Sequence, residues 1–327
     1  MTIPGWTRAE SPFHDGEVAV HDRLGIHAVI EARVRRAGIR DYLLDQHREF
    51  FPMLPFMLVG RLDAQGWPWA TLRVGRPGFV TSPDAHTLHF GGRSLPGDPC
   101  GAFHAGEALG TLGIQLHTGR RNRANGTVTA ADGTGFTLAV NQSFGNCHKY
   151  IQARIPEWCE RGTKESVAEA SGLSMADRDL LSAADTFFIA SAWLGGDAGI
   201  ARGVDVSHKG GWPGFVRVED AQTLTVPDFV GNSYFNTLGN LMLDPRAGLL
   251  FIDFAAGDLV YVAARAEILW DGPQTEWPRG TQRLVRFHVQ RVRRAAGVVP
   301  FTWSAAEYSP ALGTTGVWSV PCANADA

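Results

Sequence analysis

The stretch GVDVSHKGGWPGFVRV at residues 203–218 ends a strand-like run on Ser207, His208 and Lys209, then turns through Gly210 and Gly211. A hydroxyl, an imidazole and an ammonium beside a permissive turn suit a phosphate or a polar ring that approaches the backbone closely. A second stretch, PDFVGNSYFNTLGNLMLDPRAGLLF at residues 227–251, places Asn232, Ser233, Asn236 and Thr237 where a loop enters a helix. Free N–H groups at a helix start attract anions, although Asn232 or Ser233 taken alone reads as an ordinary N-cap. The basic stretch GRRNRANG at 119–126 offers Arg120, Arg121 and Arg123. Its plainest reading is a solvated hairpin tip; the alternative is phosphate or substrate contact, with Arg123 as the candidate. Lys149 stands beside Cys147 and Tyr150 in the string NCHKYI and is a further candidate cation. Of the 11 histidines, none forms an i, i+4 pair on a convincing helix or an H-E-x-x-H motif. His208 is the exception: it is the one side chain placed for proton delivery, against the alternative of a hydrogen-bonded strand-end histidine.

These residues must be positioned by a β-rich frame, and the frame repeats. GRPGFVTSPDAHTL at 75–88 and GWPGFVRVEDAQTL at 211–224 are identical at nine of fourteen positions with a constant offset of 136. GTLGIQLHTG at 110–119 then meets GLLFIDFAAG at 248–257 at offset 138, matching at Gly110, Leu112, Ile114 and Gly119. Two collinear matches point to an internal repeat. Each copy carries a hairpin before the repeated turn, as in PFMLVGRLDAQGWPWATLRV around Asp63-Ala64-Gln65-Gly66, and further strand pairs after it. The expected organisation is a helical segment at 1–44, a first and degenerate repeat at 45–155, a helical connector at 156–182, a second repeat at 183–300 and a C-terminal tail at 301–327, loosely held after Tyr308. SMADRDLLSAADTFF carries a Ser174 to Asp177 capping pattern, and HAVIEARVRRAGIRDYLLDQHREFF reads as a packing helix.

The segments DVSHKGG, GNSYFNTLGN and PRAGLLFIDF resemble the pyridoxamine 5′-phosphate oxidase-like, FMN-binding split-barrel proteins, in particular a bacterial subgroup with tandem barrels. The likeness in the second copy covers residues 183–270; the first copy resembles the weaker partner repeat and ends in QSFGNCHKYIQARIPEW. The resemblance implies a mainly β (α+β) fold with short helices: two tandem split β-barrels of the FMN-binding type, forming a pseudo-dimer within one chain. It implies FMN at the barrel interface and assigns Ser207, His208 and Lys209 to the flavin ring and phosphate region, and Asn232, Ser233, Asn236 and Thr237 to the phosphate and ribityl chain. Vitamin B6 oxidation is not implied, because Asn236-Thr237 stands where those oxidases have Arg-Lys and their C-terminal Trp and Arg motif is missing. By the 136 offset, Ser207, His208 and Lys209 correspond to Thr71, Leu72 and Arg73, so one competent site is expected, built on the second copy. The implied activity is flavin-dependent hydride or electron transfer. The alternatives are a flavin carrier or sensor, a haem-handling split barrel, or a deazaflavin-dependent reductase.

Composition excludes several other classes. A net charge of −3 over 327 residues argues against a polyanionic nucleic-acid partner, and no apolar run is long enough to span a bilayer. Cys100, Cys147, Cys159 and Cys322 show neither zinc nor disulfide spacing, so no metal is expected. The expectation is a cytoplasmic protein whose partners are a small-molecule substrate and an electron donor, NAD(P)H or a separate reductase, with a homodimer as the further association considered.

Overall fold

The computed structural model describes residues 5–160, 166–196, 199–273 and 277–318; Cys322 and the end of the tail lie outside them. Helices α1 (Asp15–Arg23), α2 (His27–Ala37) and α3 (Asp45–Phe50) precede strands β1 (Phe56–Leu62), β2 (Pro68–Val74), β3 (Val80–Asp84), β4 (Thr87–Phe90), β5 (Arg93–Ser94), β6 (Ala108–Gln115), β7 (Arg120–Ala131) and β8 (Phe136–Gly145). After β9 (Pro156–Trp158), β10 (Ser166–Ala170) and α4 (Met175–Ala183) come β11 (Thr186–Trp193), β12 (Gly203–Gly210), β13 (Arg217–Val218), β14 (Thr223–Phe229), α5 (Asn236–Leu243), β15 (Arg246–Ile252), β16 (Leu259–Leu269), β17 (Thr281–Ala296) and β18 (Phe301–Trp303).

The two large sheets share one strand order. The first runs β3-β4-β8-β7-β6-β1-β2, with β5 added at its end, and the second runs β13-β14-β17-β16-β15-β11-β12. The fold is thus mainly β with short helices, two split barrels in tandem. Local chemistry repeats as well: the shared P-G-F turn puts Gly78 at φ 95° and Gly214 at φ 92°, a left-handed conformation that glycine adopts without a steric penalty. In each copy the following Phe amide closes the turn, from Phe79 to the Arg76 carbonyl at 3.0 Å and from Phe215 to the Trp212 carbonyl at 2.9 Å.

The barrels pack on each other through equivalent surfaces. A Cβ at Gly110 on β6 would lie 2.4 Å from the Val204 carbonyl oxygen on β12, and one at Gly248 on β15 would lie 2.1 Å from the Pro68 carbonyl oxygen on β2. Gly110 and Gly248 differ by 138 and Pro68 and Val204 by 136, so each barrel offers the same patch to the other, the pattern of an isologous dimer. Around these backbone contacts one apolar core runs across both barrels, with Leu58, Trp69 and Leu72 from the first and Phe188, Val206 and Tyr261 from the second. Burying each such side chain contributes roughly 1.5–3 kcal/mol. This interface explains why β1, β2, β6, β11 and β15 are buried on both faces rather than alternating.

Three expectations are corrected. The 156–182 connector is helical only over α4, where Ser174 and Asp177 do form the capping box; β10 instead pairs with β17 and β9 with β18. The N-terminal helical stretch breaks after Ala37, with Gly38 as its C-cap, and resumes as α3. The tail is packed as far as it is described: Leu312 is buried, and the Trp318 indole donates to the Phe215 carbonyl at 2.9 Å. Scattered apolar residues in a Gly- and Ala-rich string gave no periodicity from which to foresee this. Among the described residues no helix is long and apolar enough to cross a membrane.

Candidate functional site

β12 is the edge strand of the second sheet, so one side of its backbone has no strand partner within that sheet. Strand β7 of the first barrel meets that edge. Its period-two pattern puts Arg121, Arg123 and Asn125 on one face. Arg123, 3% exposed, donates to the Val206 carbonyl at 2.8 Å, to Asp205 at 3.0 Å, to the Asn236 side-chain oxygen at 2.9 Å and to Ser207 Oγ at 2.5 Å. The hairpin-tip reading of Arg121 and Arg123 is therefore overturned. The turn falls earlier, at Leu116–Thr118 with Gly119 left-handed, and only Arg120 of the three is exposed.

Beside this junction lies a cavity of about 130 Å³. Ser207, His208, Lys209, Asn232, Ser233, Asn236, Thr237, Lys149 and Arg123 all line it, so residues spread over 115 positions of sequence share one site. Arg121, which the sequence offers only as one of the three arginines of the basic stretch, lines it too, as do Asn146, Tyr150 and Phe235, for which the sequence suggests no role. The R-x-R-x-N alternation at 121–125 carried the signal for Arg121. Among the described residues, four cationic side chains line the cavity against a single carboxylate, Asp228.

The partners of these side chains divide them into two sets. Lys209 is held by Asp228 at 2.7 Å, Thr237 Oγ1 donates to Ser207 Oγ at 3.0 Å, and the Asn236 amide nitrogen donates to Glu17 at 2.5 Å. These groups build the walls. Asn232 accepts from the Tyr234 amide and donates to Asn146 at 3.1 Å. The second set is uncommitted: among the described residues, Arg121 Nε, Asn146 Nδ2 and His208 Nε2 are buried without a hydrogen-bond partner, as is the Nε of Arg123, whose other nitrogens are spent on the wall. A buried polar atom left unpaired costs about 1–3 kcal/mol, so four around one cavity mark a place shaped for something other than the protein's own atoms.

Electrostatics agree with that division. Burial, with help from neighbouring Arg123, pushes the Arg121 guanidinium down to about 10, still charged at neutral pH. Burial first, then Arg121 and Lys209, holds the His208 imidazole well below its ordinary range, so it is neutral and its ring packs edge-on against Phe188. Behind the wall, burial and Asp205 raise the Glu17 carboxyl well above the usual range.

The backbone is strained in the same place. Among the described residues three non-glycine positions have positive φ, Tyr150 (63°), Ser233 (63°) and Phe235 (59°), and all three line this cavity. Such conformations persist only where surrounding contacts over-determine them, and they cluster at ligand clamps. Phe235 is the N-cap of α5 and offers no side-chain cap, so the first-turn N–H groups of Asn236, Thr237 and Leu238 are not capped from within.

The equivalent position on the other side of the pseudo-dimer is filled. Strand register matches Arg121 and Arg123 with Leu259 and Tyr261, both fully buried in the inter-barrel core. Thr71 bonds back to the Val59 carbonyl, Leu72 is core, and Arg73 is spent on the Gly91 and Gly92 carbonyls.

No protein-family model and no curated protein matches the chain. Among solved structures, similarity is found to a candidate pyridoxamine 5′-phosphate oxidase from Lactobacillus delbrueckii, at 17% identity over 38% of this chain and 94% of that one, TM-score 0.30. HupZ from Group A Streptococcus matches at 15% identity over 37% of this chain and 91% of its own, TM-score 0.29. An FAD-binding protein from Mesorhizobium loti matches at 16% identity over 40% and 98%, TM-score 0.27.

Proposed function

We propose that this chain is an FMN-binding split-barrel flavoprotein with one flavin site, at the junction of the two barrels, and that it works as an oxidoreductase. The observation that carries the reading is the cavity itself: buried donors without partners, a cationic lining and an uncapped helix start converge where β7 of one barrel meets the edge of the other. That donor set fits a phosphate monoester, which takes charge-assisted hydrogen bonds from guanidinium, ammonium and backbone N–H groups. A cavity of about 130 Å³ is smaller than the roughly 300–1,000 Å³ of pockets that enclose a whole cofactor-sized ligand. Its size suits the phosphate end of a flavin nucleotide and leaves the ring to the open part of the cleft.

FMN, when bound, would supply the hydride and electron chemistry. The chain's own residues bind and orient. Arg121, Lys149 and the α5 amides would hold the phosphate, while Asn232, Ser233 and Thr237 line the path of the polar side chain. Lys209 is held by Asp228, which makes it a fixed positive wall rather than a free anchor. His208 enters neutral and can give a proton only from the nitrogen that carries one; it is the one ring-side group proposed for proton delivery.

The test is a titration of the purified protein with FMN, followed by flavin fluorescence and thermal melting. A ligand bound to the native state alone at a hundredfold excess over Kd adds about 2.7 kcal/mol. A melt unmoved by FMN overturns the reading. Steady-state oxidation of NADH or NADPH by the loaded protein then separates an enzyme from a carrier or sensor.

A further inference from the structure

A second cavity, of about 580 Å³, lies on the first-barrel side of the same wall and shares Arg121 and Asn146 with the flavin-site cavity. Its lining draws on the break between α2 and α3, on α3, on the Gly119 turn, on the start of β7 and on the end of β8. Arg40, Arg120, Arg121, His47 and His148 line it, and among the described residues no aspartate or glutamate does. Three guanidiniums in one cavity with no lining carboxylate repel one another, an arrangement that an oxyanion relieves. Each is positioned by the fold. Arg40 is 7% exposed and donates to the Ala37 and Gly38 carbonyls at 3.2 and 3.3 Å. Arg120 lies over the Phe50 ring at 4.7 Å, exposed at the mouth. Arg121 forms the back wall, with Nε buried and unpartnered. His47, buried, contacts Ser143 Oγ at 3.3 Å; burial, then Arg40 and Arg120, holds it near 4, so it adds a polar atom and no charge at neutral pH.

We propose that this cavity is a second oxyanion site, which takes the phosphate- or carboxylate-bearing co-reactant of the neighbouring flavin. Only the ligand's role as co-reactant rests on the flavin reading; the binding of an anion in this cavity stands on its own lining. The volume admits a molecule of nucleotide size, and the shared Arg121 puts the two ligands on either side of one guanidinium.

The experiment titrates the full chain with pyrophosphate, and separately with citrate, by calorimetry, with and without saturating FMN. Arg120→Gln and His148→Gln are compared with the wild type; both side chains are exposed, so neither removes core packing. Loss of the Arg120 charge is expected to weaken anion binding about tenfold, with FMN affinity changed less than twofold. Tighter binding of pyrophosphate or of citrate identifies the phosphate or the carboxylate class. Anion binding untouched in both variants, or abolished by saturating FMN, overturns the proposal. If FMN itself fails to bind, the flavin reading falls, and the anion titrations of the flavin-free variants still decide this one.

Discussion

Arg121→Met should move affinity and stability in opposite directions. The guanidinium sits with a buried, unpartnered Nε, and its fall to about 10, caused first by burial and then by Arg123, corresponds to about 3 kcal/mol against the charged form. Methionine fills a similar length without that penalty, so the flavin-free protein should gain about 1–3 kcal/mol, a rise of a few degrees in Tm for a chain of this size. The same change removes a charge-assisted contact worth about 1.5–3 kcal/mol to a phosphate, which weakens FMN binding roughly 10- to 100-fold. Arg123→Met is the control. It breaks a buried pair with Asp205 and three further hydrogen bonds and should cost about 3–5 kcal/mol of flavin-free stability. Fluorescence titration and flavin-free melts of the two variants read both quantities. An Arg121→Met protein that melts lower and binds FMN as tightly as the wild type would refute the assignment of Arg121 to a ligand.

Lys209→Ala should weaken FMN binding less than Arg121→Met, because its ammonium already serves Asp228; fluorescence titration compares the two Kd values. His208→Ala should leave FMN bound while lowering turnover, and equal turnover in variant and wild type would exclude the proton-delivery role. Acid should destabilise the flavin-free protein from about pH 6.5 downward: His208 and His47 are held neutral in the fold but take up protons when unfolded, so the unfolded state gains as pH falls. Because His47 has a folded value near 4, its share of that loss is complete only below pH 4, which urea melts across pH 4–7 can follow. Gly110→Ala should cost several kcal/mol, since its Cβ would sit 2.4 Å from the Val204 carbonyl oxygen and one barrel must move off the other; chemical denaturation measures it.

The fold and the meeting of the site residues were legible in the sequence to different depths. The P-G-F turns and the Gly110/Gly248 match were readable because glycine at a left-handed or close-packed position has few substitutes. The convergence of Ser207, Asn236 and Thr237 was readable only through the resemblance carried by DVSHKGG and GNSYFNTLGN, since nothing in their spacing of about 29 residues brings the two strings together. What was not legible is which donors are free. Whether Lys209 faces an anion or Asp228, and whether Asn236 offers its amide or spends it on Glu17 and Arg123, depends on partners up to 219 residues away that no local pattern names. Arg121 was underrated for a related reason, since a cluster of arginines after a glycine reads as solvated surface until the turn is placed one step earlier.

The reciprocal glycine contacts between the barrels carry a consequence for how a cofactor is retained. A flavin site shared between separate subunits is complete only while the subunits are associated, so its occupancy falls on dilution. In the proposed site the two walls are parts of one chain, joined by the segment after β8 that itself contributes Lys149 and Tyr150 to the cavity. The second wall is therefore present at a fixed effective concentration, whatever the amount of protein. Flavin affinity should then be the same at nanomolar and micromolar chain, and freed of any need for the two halves to be alike, one half could give up its polar residues for packing.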